Sequence, residues 1–222
     1  AERSLWLNEG AKDATLIKEM LKGNGSPIEE MSAILDFGCG CGRVARHWVD
    51  LHGPEIHGTD VSRGAVRWCR RNLGFMRTVR CRAEPPLEYD DGVFDFVYSL
   101  SVFTHLSEQT GRHWLAELIR VLRPGGLLLF TVHGERSAGE LDSVQLERFR
   151  RGELVFAERS SALAGTNAYA SFHPPEYVRH EFLPSVGVEL VEAVFQDPVG
   201  GGVTPMRMQD NYLVRKSERE LQ

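Results

Sequence analysis

The chain has 222 residues, 42% of them apolar and 26% charged, with a formal charge of −5. That is enough apolar material for a sizeable core and too much for a disordered chain, and the mild acidity gives no general attraction to nucleic acid. No apolar run approaches the roughly 18 to 20 residues that cross a bilayer, and residues 1–12 alternate charged and apolar positions instead of forming a secretory leader, so a cytoplasmic protein with no membrane partner is expected. A start at Ala1 in place of Met is expected to reflect processing or excision from a longer chain. Cys39, Cys41, Cys69 and Cys81 include no C-x-x-C pair, which argues for free thiols and against a zinc knuckle; no metal is expected.

In chain order, Ala14, Ile17 and Leu21 recur at helical spacing over residues 11–22, and Gly23, Asn24 and Gly25 end the run. Ala33, Ile34 and Leu35 form a short apolar run ending at Asp36, as a strand buried on both faces should. Residues 44–51 read as a helix, 56–60 as a strand, 63–73 as a helix, 78–82 and 93–99 as strands, and 111–122 as a helix closed by Pro124, Gly125 and Gly126. A fifth strand covers 127–132. This alternation predicts an α/β fold with a mostly parallel sheet and helices on both faces. Residues 134–172 lack a sustained period, so 134–173 is expected to be an irregular inserted cap within a single domain spanning 1–222. A helix opened by Pro174 and Pro175 to about residue 182, then strands over 188–195 and 211–214, complete seven strands and allow an antiparallel edge.

The segment Ile34-Leu35-Asp36-Phe37-Gly38-Cys39-Gly40-Cys41-Gly42-Arg43 places a glycine loop between the first predicted strand and the next predicted helix. Such a loop, at the carboxyl end of a parallel strand, lets a ligand approach the backbone. The spacing is G-x-G-x-G, without the extra residue of the dinucleotide fingerprint and without the Lys-Ser or Lys-Thr of a phosphate loop. Asp36 would repel a phosphate and attract a cation, and Asp60, ending the second strand, can accept from both ribose hydroxyls. A nucleoside with a positive tail fits.

These residues resemble the class I S-adenosylmethionine-dependent methyltransferases, specifically the small-molecule branch with L-D-x-G-C-G-x-G-R. The likeness runs over about residues 34–132. It includes Asp60 after Ile56-His57-Gly58-Thr59, Ala83-Glu84 after the third strand, Phe94-Asp95-Phe96-Val97-Tyr98-Ser99, Ser101-Val102-Phe103-Thr104-His105-Leu106, and the turn Leu122-Arg123-Pro124-Gly125-Gly126. The resemblance implies a Rossmann-like class I methyltransferase fold with S-adenosyl-L-methionine as cofactor and S-adenosyl-L-homocysteine as product. It further implies that Asp36 and the backbone of Gly38, Cys39 and Gly40 hold the methionine portion, and that Asp60 holds the ribose. By the same likeness Val61 packs near the base, Ala83 and Glu84 meet the adenine, and Ser99 and Leu100 offer backbone groups to the methionine amine. Trp6 and Gly10 are expected to close the site from the N-terminus.

His105, just past the fourth strand, is the leading candidate for a general base, with a capping or packing role as the competing reading. His133 and His173 are candidates for the acceptor site, Tyr169, Phe172 and Tyr177 for its walls; Asp95, His47, His52 and His57 read as structural. Seven arginines and no acid lie between Val61 and Ala83, read as a solvated face or a surface for an acidic partner in preference to an RNA contact. The expected function is transfer of a methyl group to an oxygen or nitrogen of a small-molecule acceptor by in-line displacement. The competing readings are a non-catalytic cofactor-binding subunit and an NAD-dependent dehydrogenase; the oligomeric state is left open.

Overall fold

A computed structural model describes residues 2–158, 169–196 and 205–218. Among the described residues, seven strands form one sheet in the order β3 (Met76–Arg80), β2 (Glu55–Asp60), β1 (Ala33–Phe37), β4 (Phe94–Ser99), β5 (Leu122–Val132), β9 (Asp210–Lys216) and β8 (Val188–Val194), and β6 (Val155–Glu158) and β7 (Tyr169–Phe172) form a separate two-stranded sheet. The central strands β1 (Ala33–Phe37) and β4 (Phe94–Ser99) are buried along their whole length, as parallel strands covered on both faces require. They are flanked by β2 (Glu55–Asp60) and β3 (Met76–Arg80) on one side and β5 (Leu122–Val132) on the other, all parallel. β9 (Asp210–Lys216) pairs antiparallel with both β5 and β8 (Val188–Val194), so the antiparallel strand lies one place in from the edge. The strand order reverses between β1 and β4, and the crevice at their carboxyl ends is where such sheets bind ligands.

One apolar cluster fills each face. On one face Ala14, Ile17 and Leu21 of α1 (Glu2–Gly23) pack with Ile34, Phe96 and Leu129; on the other, Trp114, Leu115 and Leu118 of α3 (Glu108–Val121) pack with Leu35, Val97 and Phe130. α2 (Arg63–Asn72) begins at Ser62, whose hydroxyl accepts from Ala65 N. The Leu122-Arg123-Pro124-Gly125-Gly126 turn is a lock on the sheet. Arg123 pairs with Asp95 at 2.6 Å, and Asp95 Oδ2 also accepts from Ser32 N and Ala33 N, which ties β4, β1 and the start of β5 together.

Two expectations change. The predicted helix over 44–51 is a single 3-10 turn, Ala45–Trp48, with no side-chain cap; Gly42, at φ +64°, precedes it and the stretch ends at Gly53-Pro54. The cap expected to be irregular contains α4 (Ser143–Arg150), started by a reciprocal Asp142–Gln145 capping box, and the antiparallel pair β6 (Val155–Glu158) and β7 (Tyr169–Phe172). Ala138, Leu141, Phe149, Val155 and Phe172 give it a small core of its own. The Pro175 helix forms as predicted, Pro175–Tyr177, continuing as a π-helical turn to Phe182.

Candidate active site

The glycine loop leaves β1 at Phe37. Gly38, Gly40 and Gly42 all have positive φ, of 79°, 52° and 64°. A Cβ on Gly38 would lie 2.3 Å from Val102, whereas a Cβ on Gly40 would meet nothing within 4 Å. The bend therefore packs on one side and opens on the other. That opening is a cavity of ≈ 360 Å³ lined by Asp36, Gly38, Cys39, Gly40 and Leu100, all expected from the sequence, together with Cys41, Arg43, Val44 and Tyr98.

Asp36 is buried at the cavity wall, and burial pushes its carboxyl up to about 7; the Tyr98 hydroxyl and the Arg43 charge oppose that rise and Asp60 adds to it. Tyr98 faces Asp36 across the β1–β4 register and accepts a hydrogen bond from Trp48 Nε1 at 3.0 Å. A buried carboxyl that a nearby cation would ionise suits a positively charged ligand. Asp60 braces the loop, with Oδ2 accepting from Gly40 N at 2.8 Å and Oδ1 from Ser62 N at 2.7 Å. Ser99 is fully buried and its hydroxyl has no partner among the described residues. The next turn is fixed by Ser101, at φ 61°, whose N–H donates to Thr131 Oγ1 and whose hydroxyl accepts from Gln209 Nε2 at 2.7 Å.

α1 closes one end. Asp13 pairs with Arg43 at 2.7 Å, and a Cβ on Gly10 would lie 2.0 Å from the Arg43 carbonyl, so the helix touches the loop backbone there. The Trp6 side chain lies outside the described residues. Val61 is 48% exposed and its carbonyl accepts from Arg80 Nε. Ala83 is exposed with its carbonyl taken by Trp114 Nε1, and the Glu84 carboxylate accepts from Thr110 Oγ1 at 2.8 Å. Glu84 is thus held against the start of α3 and is not among the residues lining the Asp36 cavity.

His105 Nδ1 lies 2.9 Å from the Tyr169 carbonyl, which makes it the protonated nitrogen in that bond and links the β4 edge to the cap. Its ring meets that of His133 edge to face. Burial pushes His133 down to about 4 and His173 down to about 3, with the neighbouring histidine adding to each shift. Both are neutral at pH 7. Tyr169, Phe172 and Tyr177 are buried, the last two in apolar clusters, which assigns those two to packing. The Cys39 thiol is pushed up by its hydrogen bond with Cys69 and by burial, and all four cysteines are free. Among the described residues no group of His, Cys, Asp or Glu is arranged to hold a metal.

Residues 34–126 match the family model described as a methyltransferase domain. Over those residues the chain is similar to the class I S-adenosylmethionine-dependent methyltransferases. Among curated relatives, the chain is 38% identical over 101 residues to phthiotriol/phenolphthiotriol dimycocerosates methyltransferase 1 of Mycobacterium ulcerans, covering 44% of this chain and 36% of that protein. It is 31% identical over 112 residues to malonyl-(acyl-carrier protein) O-methyltransferase of Salmonella typhimurium, covering 50% and 43%. The chain thus spans less than half the length of these relatives. Its fold is that of the Burkholderia thailandensis 1,6-didemethyltoxoflavin-N1-methyltransferase solved with 1,6-didemethyltoxoflavin and S-adenosylhomocysteine, with a TM-score of 0.64, 17% identity, and 97% of this chain and 82% of that one covered. No described helix of the chain is long and apolar enough to cross a membrane.

Proposed function

We propose that the chain binds S-adenosylmethionine over the glycine loop and transfers its methyl group to an oxygen or nitrogen of a small-molecule acceptor. The observation that carries this reading is the buried Asp36 carboxyl beside a cavity onto which Gly40 opens. The residues present fit the cofactor's chemistry. Asp36 and the backbone of Gly38, Cys39 and Gly40 meet the methionine portion, and Ser99 and Leu100 its amine. Asp60, with each oxygen already accepting one backbone N–H, keeps lone pairs for the ribose hydroxyls. Val61, Ala83 and Glu84 border the base; Glu84, with Oε1 accepting from Thr110, keeps lone pairs for the exocyclic amine.

S-adenosylmethionine supplies a methyl on a sulfonium, a leaving group already activated. The chain's own task is then orientation and exclusion of water, for which an aligned approach at about 3 to 3.5 Å contributes several kcal/mol. For an acceptor that arrives protonated, His105 is the base: with its Nδ1 proton held at the Tyr169 carbonyl, Nε2 presents the lone pair. The relative named as a malonyl-(acyl-carrier protein) O-methyltransferase supports an oxygen acceptor, while others named as sterol C-methyltransferases make carbon the alternative that the test must separate.

The test has two parts. Calorimetry with S-adenosylhomocysteine should show one site, with no competition by NADH. Incubation with methyl-labelled S-adenosylmethionine and a metabolite extract should place label on an oxygen or nitrogen of a small molecule. Label that never leaves the cofactor supports a binding subunit and overturns the reaction; label on carbon overturns the acceptor atom.

A further inference from the structure

A larger cavity lies elsewhere. It measures ≈ 690 Å³, sits between α1, β8 and β9, and has no lining residue in common with the glycine-loop cavity. That volume is within the range of small-molecule sites. Leu16 and Val194 give it apolar walls, while Glu19, Glu192 and Asn211 bring oxygen acceptors; Arg136 is the one cation among its described lining residues.

Asn211 decides the chemistry. It is 1% exposed, and its Nδ2 donates to the carbonyls of Met206 and Gln209 at 2.9 and 3.0 Å, so both amide hydrogens are spent and the side chain cannot flip without losing both. Among the described residues its Oδ1 has no partner. A buried carbonyl oxygen without a donor is costly, about 1 to 3 kcal/mol, unless a ligand or water completes it. Glu192 lies nearby on β8 and accepts from Asn24 Nδ2 at 2.5 Å; Glu19 makes no hydrogen bond or ion pair among the described residues. Two carboxylates and an amide oxygen therefore face this cavity against a single guanidinium among its described lining residues.

We infer that this cavity is a second ligand site, taking an organic ammonium with an apolar body: the ammonium donates to Asn211 Oδ1 and faces the Glu192 and Glu19 carboxylates, and the hydrocarbon lies along Leu16 and Val194. The site stands independently of methyl transfer.

The probes are n-hexylamine, n-hexanol and hexanoate, titrated into the full chain saturated with S-adenosylhomocysteine and followed by calorimetry. Hexylamine should bind saturably and at least tenfold more tightly than hexanoate. Glu192→Gln keeps an acceptor for Asn24 and removes the charge; Val194→Trp fills the cavity. Each should weaken hexylamine at least fivefold and leave S-adenosylhomocysteine affinity within twofold. If either variant fails to fold, the wild-type chain still decides: hexylamine should shift the Asn211 side-chain amide and Leu16 methyl resonances. No saturation, hexanoate binding as tightly as the amine, or resonances that do not move would overturn the site. Failure of S-adenosylhomocysteine to bind while hexylamine does would remove the cofactor reading and leave this one intact.

Discussion

Tyr98 stands opposite Asp36 in the β1–β4 register and accepts a hydrogen bond from Trp48 Nε1 at 3.0 Å, so one buried phenol links a tryptophan on the turn after the glycine loop to the strand position beside that carboxyl, whose ionised form its hydroxyl favours. Burial raises the Tyr98 phenol well above its ordinary range, which keeps it a donor at any working pH. Tyr98→Phe removes the group that favours ionised Asp36 and strands Trp48 Nε1. We expect a loss of about 1 to 3 kcal/mol in chemical denaturation at pH 7.5. Weaker S-adenosylhomocysteine binding by calorimetry should accompany it. A variant as stable and as tight as wild type would remove the relay.

Asp36 predicts a pH dependence. Its folded pKa of about 7 lies above the unfolded 3.8, so the protonated carboxyl's contribution to stability is complete below about 3.8 and is lost as pH rises to about 7. The unliganded chain should lose stability across that window, by at most about 1.4 kcal/mol per pH unit from this group, and Asp36→Asn should flatten the slope. Cofactor binding runs the opposite way, since the cationic amine needs the ionised form. Affinity should rise up to about tenfold per pH unit between pH 5.5 and 7 and level off above, in calorimetry across buffers. A flat profile would contradict it.

Asp60 holds Gly40 N and Ser62 N, so Asp60→Ala should cost cofactor affinity twice, through lost ribose bonds and through a loosened loop. The expected loss is about 1 to 3 kcal/mol. Unchanged affinity would take Asp60 out of the site.

His133 and His173 carry the cap's acid sensitivity. Their folded values of about 4 and about 3 lie below the unfolded 6.5, so the stability they contribute is present above pH 6.5 and lost as pH falls toward 4. Thermal melts should drop between pH 6.5 and 4, and His173→Phe, which removes one titrating ring but keeps its contacts with Tyr177 and Phe182 in kind, should lessen the drop. Identical profiles would rule the pair out.

How much of the fold was legible in the sequence depends on range. β1, the glycine loop and Asp36 are local: an apolar run, then glycines where positive φ is needed. The cap helix was missed: the Asp142–Gln145 box is a local start signal, but Val144 is exposed and few apolar residues mark the helix face. Pairing of β6 with β7 joins segments whose paired residues lie 11 to 17 positions apart, and no local period announces it. Tyr98 was hidden for another reason. It reads as one more core aromatic in a buried strand, and only the register opposite Asp36 gives its hydroxyl a role. Glu84 shows the reverse: its position after β3 was plain, yet Thr110 on α3 holds its carboxylate.

The central claim is that a sulfonium nucleoside lies over the bend at Gly38–Gly40 with Asp36 at one end and Asp60 at the other. A crystal structure of the chain soaked in S-adenosylhomocysteine tests this most directly. The account predicts density in the cavity beside Gly40, with the amino group near Asp36 and the ribose hydroxyls within hydrogen-bonding distance of Asp60. An empty cleft at saturating ligand, or density lodged elsewhere, would contradict it.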